Sequence, residues 1–393
     1  MRPSFMFPRR SWKLVGACKM DKMKMATEMS QEELNKKFTE EYDKAAKAYR
    51  KRPNILVCGY TGSGKSSLIK AILGDVVPSN AIGEGKPKTM DFDHYENDEI
   101  SIWDSRGMEL GDTEERFVEY TRGFVNSKVT DMDVDNHIHL VWYAIQGTGA
   151  RITECDLKLI KEIFTPKNLI VVITKSDCTR QNQKDALKKV LLENGIAENR
   201  IVFTSDTEGG ALGCKDLMEL SLEMLPEAYK DAFAYAQQVD LERRKQAILN
   251  KNGKAKAIIL TATTGATAAG ASPIPLSDAA IITPIQVGMI GGLAALYGLN
   301  GKELSVMAMP MIARAVGTMA ASSLLKLIPG LGTVAGACIT GGIAATLTGA
   351  MGWFVQTQFE KIAIAKALGE PPPDVNFDFD LFKSYLDNYK KTH

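Results

Sequence analysis

The feature that most constrains this chain is the glycine-rich segment 59–66, which reads GYTGSGKS. It matches the pattern GxxxxGK[ST] at every defined position, and it lies between an apolar run at 55–58 and a predicted helix at 66–73. A glycine-rich turn between a strand and a helix directs backbone N–H groups and the positive helix N-terminus toward a phosphate. The pattern therefore predicts a nucleotide site in which Lys65 reaches the β- and γ-phosphates and the Ser66 hydroxyl binds Mg²⁺.

A second motif, WDSRG at 103–107, follows at the end of another apolar strand. Asp104 can hold Mg²⁺ through a water molecule, and the Gly107 N–H can reach the γ-phosphate. A switch threonine that binds Mg²⁺ only when the γ-phosphate is present is expected between the first helix and the hairpin. Thr89 is the prediction for that role, and Ser79 is the alternative. The predicted catalytic residues are Lys65, Thr89 and Gly107, and the predicted metal ligands are Ser66, Thr89 and Asp104.

A third motif, TKSD at 174–177, ends the apolar strand 169–174 and determines the base. The Asp177 carboxylate can accept from N1–H and the 2-amino group of guanine, which adenine does not offer there. Paired hydrogen bonds of this kind can discriminate by ~10⁴-fold, so GTP is predicted rather than ATP. Lys175 is expected to lie along the base. The predicted nucleotide-binding residues are Gly59, Thr61, Gly62, Ser63, Gly64, Lys65, Ser66, Ser67, Asp104, Gly107, Thr174, Lys175, Asp177, Thr204 and Ser205.

Strand and helix patterns alternate from residue 53 to about residue 230. Such alternation predicts an α/β P-loop NTPase fold, a mostly parallel sheet with helices on both faces, followed by an all-α domain. The predicted strands are 55–58, 90–95, 99–103, 138–145, 169–174 and 201–204, with a hairpin between the second and third. The predicted helices are 30–52, 66–73, 114–128, 153–164, 182–194 and a long stretch at 216–251 that leaves the domain.

Composition changes sharply after Lys256, and segments 257–277 and 327–359 carry no charge. Two interpretations stay open for the region. Its small residues suit close helix packing in lipid, but they also suit a compact soluble bundle. We expect membrane association through 257–359, in a peripheral or hairpin mode, with Pro273, Pro275 and Pro284 breaking the first helices. The predicted divisions are a disordered basic tail 1–29, an N-terminal helix 30–52, a GTPase domain 53–230, a helical linker 231–256, a helical domain 257–368 and a tail 369–393.

Composition also limits the class of partner and the compartment. The 393 residues carry a net charge of +1, so the balance does not indicate a nucleic-acid partner. Six scattered cysteines without a CxxC pair are typical of a reducing compartment, and a cytoplasmic, membrane-associated protein is expected. His137 and His139 share one strand face, but no third metal ligand is evident. The basic, acid-free start 1–20 can be a transit peptide or a disordered tail, and the tail is expected.

With the three motifs in this order, the chain resembles the Era-like branch of Ras-like GTPases, and its TGSGKS run also resembles immunity-related GTPases. Further likeness lies in Trp142-Tyr143 and in the segments 151–154, 271–278, 284–290 and 296–298. The resemblance implies hydrolysis of GTP to GDP and phosphate by a molecular switch that controls the helical domain on a membrane or protein partner. The likeness to immunity-related GTPases implies an alternative function, a membrane-remodelling or scaffold protein whose self-assembly is driven by nucleotide.

One residue departs from that resemblance. Met108 follows the DxxG motif, where Ras-like proteins often carry the glutamine that orients the attacking water. A thioether cannot orient a water molecule usefully, so slow intrinsic hydrolysis is predicted. A second copy of the chain or an activating partner is expected to supply the missing group. Arg106 and Arg151 are the alternatives within the chain.

Overall fold

The computed structural model describes residues 31–74, 92–97, 99–105, 113–164, 168–205, 212–270, 278–299, 341–373, 382 and 384–388. The chain divides into two compact units. The sheet unit comprises Arg50–Lys251 and Ile364–Pro371. The helical unit comprises Met1–Tyr49, Asn252–Ala363 and Pro372–His393.

The sheet unit is built on six strands in the order β2-β3-β1-β4-β5-β6. Every neighbouring pair is parallel except β2 and β3, which form an antiparallel hairpin. This arrangement confirms the predicted α/β fold with a mostly parallel sheet. The strands are β1 Asn54–Cys58, β2 Asp93–Glu96, β3 Ser101–Asp104, β4 Leu140–Gln146, β5 Leu169–Thr174 and β6 Ile201–Phe203.

The helices follow the predicted alternation through the sheet unit and continue into the helical unit. Those of the described chain are α1 Gln31–Tyr49, α2 Lys65–Leu73, α3 Glu114–Val129, α4 Glu154–Lys158, α5 Gln181–Glu193, α6 Cys214–Met224, α7 Glu227–Ala236, α8 Leu241–Leu249, α9 Asn252–Gly270, α10 Asp278–Leu296 and α11 Gly341–Leu368. A π-helical turn, Leu159–Ile163, continues α4.

The central strands bury both faces, as parallel strands covered by helices do. On one face the Trp142 indole N–H donates to the Ser221 hydroxyl of α6 at 3.0 Å, and its ring meets Phe233 of α7 edge-on. On the other face the Tyr143 hydroxyl donates to Asp156 of α4 at 2.7 Å. Adjacent residues of β4 thus anchor helices on opposite sides of the sheet, which fixes its register.

The long helix predicted at 216–251 is three helices, α6, α7 and α8. Pro226 separates α6 from α7, because proline cannot continue a helix at that point. Gln237 ends α7: its buried side-chain oxygen accepts from the N–H groups of Val239 and Asp240, each at 2.8 Å. The Asp240 side chain then caps α8 by accepting from Arg243 N–H. All three helices belong to the sheet unit, whose first segment ends at Lys251.

In the helical unit, α1 packs closely against α10. A Cβ at Gly291 would lie 3.0 Å from the Phe38 carbonyl oxygen and 3.2 Å from the Tyr42 backbone nitrogen. The Tyr42 hydroxyl also donates to the Leu299 carbonyl at 2.7 Å. Glycine at 291 therefore lets two helix backbones approach to a distance that a side chain would prevent.

Two further features of the helical unit bear on the sequence predictions. The prediction that Pro284 breaks a helix is wrong, because α10 runs through it. Proline has no N–H to donate to the helix, but the same helix buries Ile282 before Pro284 and Val287 and Ile290 after it. Pro273 and Pro275 lie outside the described residues.

The membrane prediction covers 257–359, of which the structure describes 257–270, 278–299 and 341–359. Within the described parts of the chain, no helix combines the length and the apolar character needed to cross a bilayer.

The close approach at Gly291 predicts opposite effects for two neighbouring substitutions. Gly291→Ala should lower the free energy of unfolding by about 1 kcal/mol, because overpacking against two backbone atoms outweighs the helix propensity gained. Gly292→Ala is the matched control: its Cβ would make an ordinary contact with Ile258 at 3.5 Å. We expect that variant to gain up to about 1 kcal/mol. Urea unfolding measures both, and changes of the same sign would contradict the packing described.

Candidate functional site

The phosphate-binding segment 59–64 connects β1 to α2 and depends on glycine at three positions. Gly59, Gly62 and Gly64 have φ of +146°, +78° and +85°, in the region that side chains disfavour. A Cβ at Gly59 would also lie 2.3 Å from the carbonyl oxygen of Ala144 on the neighbouring strand. Both conformation and space therefore require glycine at 59.

Lys65 begins α2 and is buried beneath this segment. Its ammonium group donates to the carbonyl oxygens of Gly59 and Tyr60, each at 3.1 Å. Burial lowers the pKa of Lys65, and the nearby Asp104 carboxylate opposes that shift. A buried cation held by two neutral carbonyls can also interact with a phosphate that enters the loop.

Asp104, at the end of β3, faces the start of α2. The Ser66 hydroxyl donates to its Oδ2 at 3.1 Å, whereas its Oδ1 is buried and has no hydrogen-bond partner among the described residues. Burial raises the pKa of Asp104 to about 6, although Lys65 and Ser66 oppose that shift. At neutral pH the group is thus mostly ionised. A hydroxyl beside a carboxylate with an unsatisfied oxygen is a donor set that fits Mg²⁺.

The third motif is bonded directly to the phosphate-binding segment. The Thr174 hydroxyl donates to the Ser63 carbonyl at 2.6 Å, and the Lys175 ammonium group donates to the Gly62 carbonyl at 3.1 Å. Lys175 has φ of +53°, a left-handed conformation that turns the chain sharply after β5. Residues separated by more than one hundred positions in sequence therefore form one site.

The predicted base-contacting residues lie together at the ends of β5 and β6. Asp177 is exposed in the short turn Ser176–Cys178, and its Oδ2 accepts from the Cys178 thiol at 3.2 Å. Ser176 N–H donates to the Thr204 carbonyl at 3.0 Å. Ser205 is buried, and its hydroxyl has no hydrogen-bond partner in the described structure. The end of β6 is thus joined to the turn that carries Asp177.

Some predicted site residues cannot be placed. Thr89, its alternative Ser79, and Gly107 lie outside the described residues, as do Arg106 and Met108. Their roles stay predictions. Of the predicted residues that are described, Thr61 is exposed and Ser67 is half-buried, and both lie within the loop and the first turn of α2.

Sequence reasoning missed Tyr60, which occupies an undefined position of the loop motif. Its hydroxyl lies 2.9 Å from the Thr153 hydroxyl and 3.4 Å from a Glu114 carboxylate oxygen. Thr153 precedes α4 and Glu114 begins α3, so Tyr60 connects the loop to two helix N-termini. The sequence signal that could have identified Tyr60 is an aromatic hydroxyl inside a glycine-rich motif.

The histidine pair, His137 and His139, lies at the opposite end of the strands, and its ring nitrogens bond to main-chain groups. His139 Nδ1 accepts from Asn54 N–H at 2.9 Å, and its Nε2 lies 3.2 Å from the Val134 carbonyl, to which it donates. His137 Nε2 lies 2.9 Å from the Asp131 carbonyl. Burial lowers the pKa of His139. Both nitrogens of His139 are thus used by main-chain bonds.

Comparison with known proteins gives a family match over part of the chain. A family model described as septin matches residues 112–216, which include the third motif but not the phosphate-binding segment. Cell division control protein 10 of Candida albicans is 23% identical over 181 residues, covering 39% of this chain and 50% of that protein. Septin-2 of Bos taurus is 26% identical over 172 residues, covering 37% and 47%. This chain spans about half the length of the curated relatives it matches.

A solved structure, Toc33 from Arabidopsis thaliana in complex with Mg²⁺ and GMPPNP, has a TM-score of 0.31 and 17% identity. The matched region covers 50% of this chain and 91% of the Toc33 chain. This likeness is too low to support an argument about the present site. The sheet order, the loop geometry and the septin match support the coarser conclusion: the sheet unit has the P-loop GTPase fold and is followed by a helical region.

Proposed function

We propose that the sheet unit binds GTP with Mg²⁺ and hydrolyses it to GDP and phosphate. The observation that carries this proposal is the pair of bonds from Thr174 and Lys175 to the phosphate-binding segment. They join the third motif, in which Asp177 is exposed, to the segment that leads into Lys65. A nucleotide bridging the two motifs would have its phosphates and its base recognised together.

Each residue has a defined part in this proposal. The backbone N–H groups of 59–64 and the Lys65 ammonium group would bind the phosphates. Ser66 and Asp104 would hold Mg²⁺, which neutralises charge on the β- and γ-phosphates when it is bound. Asp177 would accept from the guanine base, and Thr89 stays the predicted ligand that senses the γ-phosphate.

Intrinsic GTP hydrolysis is expected to be slow, because Met108 stands where Ras-like proteins often carry the glutamine that orients the attacking water. We infer that a second molecule, an activating partner or another copy, completes the site. The chain would then act as a switch whose GTP-bound state lasts until that molecule arrives. The helical unit would be the output of the switch on a membrane or protein partner.

Asp177→Asn tests the base assignment. An amide cannot accept from both guanine donors but can pair with xanthine, so GTP affinity should fall by about 10²-fold or more and XTP affinity should rise. Titration with fluorescent GTP and XTP analogues measures both. The control is Lys65→Ala, which should abolish binding of both nucleotides because it removes the phosphate cation. Unchanged GTP affinity in the Asp177 variant would disprove the base-pocket assignment.

The source of the hydrolytic group can be tested by dilution. For a switch whose missing group comes from an activating partner, we expect the chain alone to release phosphate slowly, at or below about 10⁻² s⁻¹, with turnover per molecule independent of protein concentration. Single-turnover phosphate release over a hundredfold range of concentration measures this. Turnover that rises steeply with concentration would contradict the simple switch and favour the self-assembling alternative.

The predicted membrane role has its own test. The full chain should float with liposomes in one nucleotide state, either with a GTP analogue or with GDP. The Lys65→Ala variant controls for nucleotide dependence. Equal flotation with and without nucleotide would mean that membrane binding does not depend on the nucleotide state. Failure to float in either state would favour a protein partner instead of a membrane.

A further inference from the structure

Tyr60 is the loop residue whose contacts exceed what the phosphate-binding motif requires. Its carbonyl oxygen accepts from Ser63 N–H and from the Lys65 ammonium group, each at 3.1 Å. Its side chain extends in the other direction, to the Thr153 hydroxyl at 2.9 Å. One residue therefore joins the phosphate-binding segment to the start of α4.

The available protons decide the direction of the Tyr60–Thr153 bond. Thr153 has a single hydroxyl proton, which it donates to Asp156 Oδ2 at 2.9 Å. Its oxygen already accepts from Asp156 N–H at 3.1 Å and retains one lone pair. Tyr60 must then be the donor. Burial raises the pKa of Tyr60 well above its usual value, so the phenol keeps its proton at neutral pH.

Thr153 is itself held rigidly. The buried Asp156 carboxylate accepts from Thr153 N–H and from the Tyr143 hydroxyl, each at 2.7 Å. Tyr143 is fully buried in β4. The hydroxyl that Tyr60 contacts is therefore fixed to the central sheet, and the anchor does not move with α4 alone.

A second acceptor competes for the same proton. Glu114 Oε1 lies 3.4 Å from the Tyr60 hydroxyl, a longer and weaker contact than the one to Thr153. Because Tyr60 has one proton, its stronger bond goes to Thr153. Glu114 is the first residue of α3 and follows the segment that contains the predicted Gly107.

We propose that Tyr60 is a positioning residue that holds the nucleotide loop in its binding shape through the Tyr60–Thr153–Asp156–Tyr143 network. The inference rests on the proposed GTP binding, since it assigns how the same loop is kept ready. Ordering the loop before the nucleotide arrives lowers the cost of binding. Loss of the anchor should therefore speed dissociation of the nucleotide while leaving the choice of base unchanged.

The test is a double-mutant cycle on nucleotide dissociation from the full chain. Tyr60→Phe removes one hydroxyl, and we expect fluorescent GDP to dissociate about three- to tenfold faster, the range of a single net hydrogen bond. Thr153→Val should act similarly, the double variant should be no worse than either single one, and Thr153→Ser should restore the rate. The GTP-to-ITP affinity ratio should not change, because Asp177 is untouched.

Tyr229→Phe is the matched control, since it removes a tyrosine bond of 2.7 Å to Asp135 at the other end of the sheet. It should lower thermal stability comparably without altering dissociation. Additive effects of Tyr60→Phe and Thr153→Val, or an unchanged rate in Tyr60→Phe, would overturn the proposal. A larger effect of Glu114→Ala than of Tyr60→Phe would assign the proton to Glu114 and also overturn it. Failure of the unmodified chain to bind GTP would instead refute the proposed function.

Discussion

The bond from the Thr174 hydroxyl to the Ser63 carbonyl, at 2.6 Å, is the interaction on which the site depends. It joins the end of β5 to the phosphate-binding segment, and Thr174 is buried, so water does not compete for it. Gly64 turns the chain beside this bond with φ of +85°, a conformation that side chains disfavour. Because β1, β4 and β5 are parallel neighbours, their carboxyl ends meet at one edge. Nucleotide sites of open parallel sheets form at that edge.

Burial controls the pKa values of the two charged groups beside the phosphate-binding segment. Lys65 and Asp104 are both buried, and burial shifts the pKa of each toward its neutral form. Each charge opposes the shift in the pKa of the other, so both groups favour their charged forms more than either would alone. Asp104 Oδ1 is buried and has no hydrogen-bond partner among the described residues. A divalent cation bound there would satisfy this oxygen, which fits the predicted Mg²⁺ site.

The sheet fold and the position of the candidate site could be predicted from sequence, because the three motifs fix the local backbone geometry at the strand ends. The order of Lys65, Asp104 and Asp177 along alternating strands and helices was enough to predict one site at one sheet edge. The break at Gln237 could not be seen, because it depends on a buried side chain that satisfies two backbone N–H groups. Tyr60 was missed for a related reason. The motif leaves its position undefined, and its partner Thr153 is near only in the folded chain.

The small residues of the helical unit do not decide its environment. They suit packing in lipid or a compact bundle, and Gly291 and Gly352 have a packing reason within the protein. A Cβ at Gly352 would lie 2.8 Å from Ile259 and 2.9 Å from the Met289 sulfur, so α9, α10 and α11 meet where this side chain is absent. Buried polar pairs cross the same helices, such as Gln286 with Thr348 at 3.1 Å. Such pairs and close approaches specify one helix arrangement, and they do so whether the outer surface faces water, lipid or another protein. Packing therefore accounts for Gly291 and Gly352 without reference to a membrane.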